Sequence, residues 1–316
     1  MKIHLIATVA LALNFFALSA QAQAPRAAHD HFNRGHSLYE KGDYDGAIAN
    51  FTKAIEISSS LDDRSRAGDW KSKSAFSDAT ANFDKVKVLD PLAAIAYANR
   101  GLARYQLSDY EGAIADCNRA IVINPRLADA YNNRGIARYA QKDYDRALID
   151  FDRAISIDPR NPESYNNRGN THLEKKDVDR AIADFDRAIA INSRLIVVYY
   201  NRGLARRKKG DAEGALKDLN KALAIDSRFA PAHYGRGIVL CDKNELDRAV
   251  NEFSRAIELD PRMAVAYGNR GLALLRQGKD TEAERDFERA ATLDSGLKME
   301  MEQRIEQVKK WRQTNR

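Results

Sequence analysis

Six glycines, Gly101, Gly135, Gly169, Gly203, Gly237 and Gly271, stand 34 residues apart, and each closes a variant of the same five letters: YANRG, YNNRG, YNNRG, YYNRG, HYGRG and YGNRG. A fixed period of this length means a chain of small stacked units, because one such unit cannot bury its own apolar face and leans on its neighbours to do so. The repeat therefore overrides the estimate of two ordinary domains that 316 residues would suggest.

With the shared glycine numbered position 8, six copies follow one another: 94–127, 128–161, 162–195, 196–229, 230–263 and 264–296. Gly35 holds the same position in a shorter copy, 28–59. Residues 60–93 align as a degenerate copy, with Ala67, Ala79, Phe83 and Pro91 on positions 8, 20, 24 and 32. Eight copies are expected, followed by a capping helix and basic tail, 297–316, with Leu297, Met301, Ile305 and Val308 on one face. Each copy reads as two helices. The first ends near a turn such as KGD, LSD, QKD or QGK; the second carries apolar residues at positions 17, 20, 21, 24, 27, 28 and 30, the stripe of an amphipathic helix. Asp43, Asp109, Asp143, Asp177 and Asp211 stand where the second helix needs a cap. Position 20 is Ala in every copy, which lets the two helices approach closely, and Phe is the usual large apolar residue at position 24.

Small residues at positions 8, 20 and 27, an aromatic at 4, Phe at 24 and Pro at 32 make the chain resemble the tetratricopeptide repeat family from residue 28 to about 295. The resemblance implies an all-α, right-handed superhelical solenoid of helix pairs with a concave groove. It also implies a non-enzymatic protein-binding role without a cofactor. The lysine clamp by which some members hold a C-terminal carboxylate is absent, since position 5 reads Phe32, Arg64, Ala98, Asn132, Asn166, Tyr200, Tyr234 and Gly268.

Where the family usually has Leu, position 7 is Arg in every copy: Arg34, Arg66, Arg100, Arg134, Arg168, Arg202, Arg236 and Arg270. A column of arginines invites a polyanion reading. A second column answers it. Position 23 is Asp116, Asp150, Asp184, Asp218, Glu252 and Asp286 in the six regular copies, and Asn50 and Asn82 in the two irregular ones. Acid and arginine in register fit a bidentate ion pair tying helix to helix, within one copy or between two, and nucleic acid is not expected as a partner.

Position 6 is Asn33, Asn99, Asn133, Asn167, Asn201 and Asn269, broken by Ser65 and Gly235. In the family's geometry, positions 2, 5, 6, 9, 12 and 13 face the groove. An amide there offers donors and acceptors to an extended peptide backbone, and one per copy makes a ladder. The alternative is that these amides bond neighbouring helices. Tyr39, Tyr105 and Tyr139 at position 12 add apolar contact in the first half of the array.

The remaining features place the protein rather than give it chemistry. Lys2, an apolar run from Ile3 to Leu18 and Ala20-Gln21-Ala22 form a leader with cleavage after Ala22, then a linker, 23–27. The run is shorter than the roughly 20 apolar residues a spanning helix needs. The mature chain is thus expected in the periplasm or secreted, without a membrane span. Cys117 and Cys241 lie in well separated copies and are read as free thiols. His29, His31 and His36 cluster near the mature N-terminus but fall short of a designed metal site. RRKK at 206–209 reads as a solvated helix end. No catalytic motif is present. The expected function is a scaffold that binds extended peptide segments of envelope proteins in the groove; the alternative is a bridging part working through its convex face, helix ends or basic tail.

Overall fold

The computed structural model describes residues 26–69 and 91–314, with side chains described throughout except for 60–69. The leader, most of the linker and the body of the degenerate copy, with Trp70, Phe76 and the side chain of Arg66, lie outside the described residues. Within them are fifteen α-helices, one short 3₁₀ turn and no strand. Contacts divide the chain into two compact units, one ending at Lys175 and the other running from Lys176 to Arg316.

The first unit holds α1 (Arg26–Glu40), α2 (Tyr44–Asp69), α3 (Pro91–Gln106), α4 (Tyr110–Ile123), α5 (Ala128–Ala140), α6 (Tyr144–Ile157) and α7 (Pro162–Glu174). The second holds α8 (Val178–Ile191), α9 (Ile196–Lys208), α10 (Ala212–Ile225), α11 (Ala230–Asp242), α12 (Leu246–Leu259), α13 (Ala264–Arg276), α14 (Asp280–Leu293) and α15 (Lys298–Thr314). No described helix is long and apolar enough to cross a membrane.

The turn inside each copy is made by the backbone. Position 15 has positive φ every time it is described: Gly42, Gly210 and Gly278 at 79–87°, and Ser108, Lys142, Lys176 and Asn244 at 60–64°. The amide of Lys142 bonds the carbonyl of Tyr139 at 2.8 Å and that of Asp143 bonds Arg138 at 2.9 Å. This left-handed closure satisfies the last carbonyls of the first helix. The next residue caps the second helix, as expected: Asp43, Asp109, Asp143, Asp177 and Asp211 each accept an amide three residues on.

The two helices of a copy meet on missing side-chain atoms. A Cβ on Gly135 would stand 2.6 Å from Phe151, and one on Gly237 would stand 2.5 Å from Phe253. The position-20 alanines Ala47, Ala147, Ala181, Ala215, Ala249 and Ala283 have no exposed surface. Phe51, Phe151, Phe185 and Phe253 are the largest fully buried side chains. Dispersion and area burial at these contacts hold the pair, and nothing larger than glycine fits beneath the phenylalanine ring.

Two boundaries differ from the sequence reading. A break at residue 59 was expected, yet α2 runs unbroken to Asp69. The copies at 28–59 and 94–127 also stack directly on one another. Arg100 Nη1 donates to Thr52 Oγ1 at 2.9 Å, 48 residues away, a contact that the following copies make over 16 residues. Gln106 Nε2 likewise reaches the hydroxyl of Tyr39 at 2.9 Å. These two copies are therefore in direct contact, and residues 70–90 lie outside the described residues. At the other end, α15 covers the last pair: Met301 is buried over Gly268, and Ile305 and Val308 pack on Leu274 and Leu275. Leu297 belongs to the 3₁₀ turn Ser295–Leu297 and not to the helix face.

Replacing Lys142 with glycine relieves a left-handed backbone at the cost of a more flexible unfolded chain. The difference is a gain of about 0.5–1 kcal/mol, readable from urea unfolding, whereas the same change at Ala147 destabilises.

Candidate functional site

The arginine column is the best defined polar feature. Arg100, through Nε and Nη2, spans both oxygens of Asp116 at 2.8 and 2.7 Å. Arg202 with Asp218 (2.9 and 2.6 Å) and Arg270 with Asp286 (2.7 Å twice) repeat the fork. Arg134 holds Asp150 at 3.0 and 2.6 Å, and Arg236 contacts Glu252 through Nη2. The acids Asp116, Asp150, Asp184, Asp218 and Asp286 are all buried. The remaining Nη1 points backwards in the array: Arg134 to Asn118 (2.6 Å), Arg168 to Asp152 (2.6 Å), Arg202 to Asp186 (2.5 Å), Arg236 to Asn220 (2.9 Å) and Arg270 to Ser254 (3.0 Å). One guanidinium thus ties the helices of its own copy to each other and to the second helix of the copy before. Hydrogen bonds to the acid hold the Arg100 and Arg270 pKa above the ordinary arginine value.

Two further partners escaped the sequence reading. Each guanidinium lies over the ring three residues earlier, with Tyr97, Tyr131, Tyr165, Tyr199 and Tyr267 at 5.2–5.6 Å. A second arginine, Arg104, Arg138 or Arg206, reaches the same carboxylate at 2.7–2.9 Å. Both recur in the sequence at fixed offsets and were visible there. In the copy 230–263 His233 replaces the tyrosine and its Nδ1 stands 2.8 Å from Glu252. In the copy 28–59, Arg34 is exposed and Asn50 bonds His31.

Three members of the asparagine ladder are enclosed by the scaffold. Asn133, Asn167 and Asn201 are 8, 0 and 1% exposed. Asn133 Nδ2 donates to the Ala98 carbonyl at 3.2 Å, and Asn167 Nδ2 donates to Asn132 Oδ1 at 3.1 Å. Asn269 donates to the Tyr234 hydroxyl and the Val265 carbonyl and accepts from Arg304. These amides stitch one first helix to the first helix before it, at position 5. Consecutive first helices approach so closely that positions 5, 6 and 9 are largely enclosed, although among the ladder asparagines Asn33 is exposed and Asn99 and Asn269 are half-buried. Asn170, at position 9 where the other regular copies have Leu or Ile, is fully buried, and its amide has no hydrogen-bond partner among the described residues.

Position 12 keeps an accessible edge, and the tyrosines there are paired. Tyr39 meets Tyr44 at 5.3 Å between ring centres, Tyr105 meets Tyr110 at 5.8 Å, and Tyr139 meets Tyr144 at 5.4 Å. Each pair spans the turn of one copy, and the three pairs belong to copies that stack consecutively. Tyr39 is buried; the other five rings are half-exposed. Burial pushes the Tyr39 pKa up to about 12 and raises those of Tyr105 and Tyr139, the last with the charge of Glu174 beside it. Later copies lose the pattern, with Leu173, Arg207, Cys241 and Leu275 in the same place.

The cations of RRKK are mostly engaged. Arg206 holds Asp218, Arg207 holds Asp242 at 2.5 Å and Lys209 holds Asp179 at 2.6 Å. Cys117 is buried and its thiol pushed far up by desolvation; Cys241 is half-buried and pushed up to about 11 by the same cause. Among the described residues no group of three or more His, Cys, Asp or Glu side chains is placed to hold a metal ion.

Family models described as tetratricopeptide repeat match residues 28–60, 128–161, 162–195 and 234–297, and a further TPR repeat model matches 101–142 and 203–241. Together they cover well over half of the chain; residues 61–100 lie outside them. No curated protein sequence matches. Among solved structures, a tetratricopeptide repeat protein from Parabacteroides merdae is 16% identical, with 89% of this chain and 99% of that one covered at a TM-score of 0.62. The APC/C hetero-tetramer Cut9–Hcn1 is 13% identical, with 87% and 54% covered at 0.62. A thermophilic TPR protein of Thermus thermophilus is 20% identical, with 58% and 100% covered at 0.51. At these identities the likeness is one of fold.

Two buried polar groups predict opposite outcomes in thermal or urea unfolding. Asp150→Asn strands two arginines and costs about 3 kcal/mol, while Asp145→Asn on the exposed edge barely moves the transition. Asn170→Leu removes an unsatisfied amide and raises stability by about 1–2 kcal/mol; a loss instead would show that this amide is bonded in solution.

Proposed function

The chain belongs to the tetratricopeptide repeat family, and we propose that it is a non-enzymatic scaffold binding extended segments of partner proteins along the tyrosine-lined edge of its first unit. The three stacked pairs, Tyr39–Tyr44, Tyr105–Tyr110 and Tyr139–Tyr144, carry this reading. Packed helices stand roughly 10 Å apart, and an extended chain advances about 3.3 Å per residue. Successive pairs would therefore meet about every third residue of such a segment. Half-exposed tyrosine supplies apolar area with a hydrogen-bonding tip at small entropic cost. In this reading the enclosed asparagines Asn133, Asn167 and Asn201 belong to the scaffold and not to the grip.

Export fits the leader at 1–22. A mass for the purified envelope protein that starts at Gln23 supports it; an intact leader on cytosolic protein removes it. The bridging alternative has less to work with, since Arg304 and Arg312 of the tail are bound to Asn269 and Asp280, and Trp311 lies against Arg276.

An array of short peptides of varied sequence, probed with the mature protein, tests the binding mode. A Tyr110→Ser/Tyr144→Ser variant of equal helicity loses the bound peptides, with about a tenfold drop in affinity. Asn167→Ala keeps them. Peptides retained by the tyrosine variant, or none bound by the parent, would end the proposal.

A further inference from the structure

Along the turn edge a second set of contacts joins successive copies. The acid at position 18 of one copy receives the residue at position 14 of the next. Gln141 Nε2 donates to Glu111 at 2.6 Å, Lys175 Nζ to Asp145 at 2.5 Å, Lys209 Nζ to Asp179 at 2.6 Å and Gln277 Nε2 to Asp247 at 2.8 Å. Lys243 makes the same contact with Glu213. At every one of these joints a lysine ammonium or a glutamine amide fills the place before the carboxylate.

One joint departs from the rule. Between the copies at 28–59 and 94–127 the acid is Asp45, and the register puts Leu107 opposite it. Asp45 is exposed and has no ion pair or hydrogen bond among the described residues. Leu107 is 44% exposed, one of five large apolar residues so exposed among those described. The surroundings favour a cation. Glu40, Asp43, Asp109 and Glu111 lie on the same two turns, with Lys41 as the one basic residue at positions 12–18 of these copies. The ring pairs Tyr39–Tyr44 and Tyr105–Tyr110 flank the joint.

We propose that this joint is a docking site for a lysine side chain of the partner segment. The partner's ammonium takes the place before Asp45 that the molecule's own Lys or Gln takes at the other joints, and its aliphatic stem lies on Leu107 and the neighbouring rings. The molecule thus displays, five times over, the chemistry that satisfies this carboxylate. The proposal rests on the peptide-binding reading and adds the residue type at one point of the bound segment.

Leu107→Gln supplies the test, because it closes the joint as Gln141 and Gln277 do and leaves the net charge unchanged. The probe is a short dye-labelled peptide alternating lysine with leucine and proline, followed by fluorescence anisotropy against the full mature chain; an acetyl-lysine version serves as control. Leu107→Gln and Asp45→Asn each weaken the unmodified probe about tenfold, and the acetylated probe binds neither the parent nor the variants. The two substitutions separate binding from folding. Leu107→Gln holds or raises the unfolding midpoint, since it adds a stitch between copies. Unchanged affinity for Leu107→Gln overturns the lysine site. So does an acetylated probe that binds as well as the lysine one. If array peptides bind through Tyr110 and Tyr144 while the lysine probe does not bind the parent, this proposal falls and the peptide-binding reading stands.

Discussion

Everything in the stack turns on a guanidinium at the seventh position of the repeat. Its fork closes on a buried acid of the same copy, its third nitrogen reaches the copy before, and its flat face lies on a tyrosine. A lysine could make one of these contacts, but only a planar group with several fixed donors makes all three at once. The arrangement solves a problem that such a column creates. A charge at a helix junction has to be desolvated, and it is tolerable there because its partners are already in place. The glycine next to it lets the two helices come close enough for the fork to close. Packing and electrostatics therefore share one register, and a slip of a single residue would lose both.

How much of this was legible in the sequence depends on where each residue's partner lies. Arg100 and Asp116 sit in two columns that both recur, so acid follows arginine from copy to copy; where the acid becomes Asn50, Arg34 stands exposed. Asp143 and its kin were legible because a cap needs nothing beyond the next turn of helix. The asparagines were not. Asn133 meets the Ala98 carbonyl, Asn167 meets Asn132 and Asn269 meets Tyr234, so the partner column has no constant residue type to signal a pair. Periodicity showed that these amides were equivalent, but their exposure depended on how near the preceding helix comes.

The degenerate copy rests on a weaker kind of signal. Four small or apolar residues at the right spacing describe many amphipathic segments, so the alignment of 60–93 asked for little. Long-range contacts ask for more. Arg100 with Thr52, and Gln106 with Tyr39, fix the neighbour of the 94–127 copy independently of what the intervening residues spell.

That direct contact changes how the first helix pair is held. Copies elsewhere are linked by turns of a few residues, which leave a detached neighbour almost nowhere to go. Asp69 and Pro91 are far apart in sequence, yet the helix that the first ends and the helix that the second begins pack directly on one another. The joint between α1–α2 and α3–α4 is held by contacts across it, among them Arg100 with Thr52 and Gln106 with Tyr39. Cutting the chain between Asp69 and Pro91 would test whether such contacts alone keep the first helix pair on the rest. The affinity between the two pieces would then measure what a single joint of the solenoid contributes.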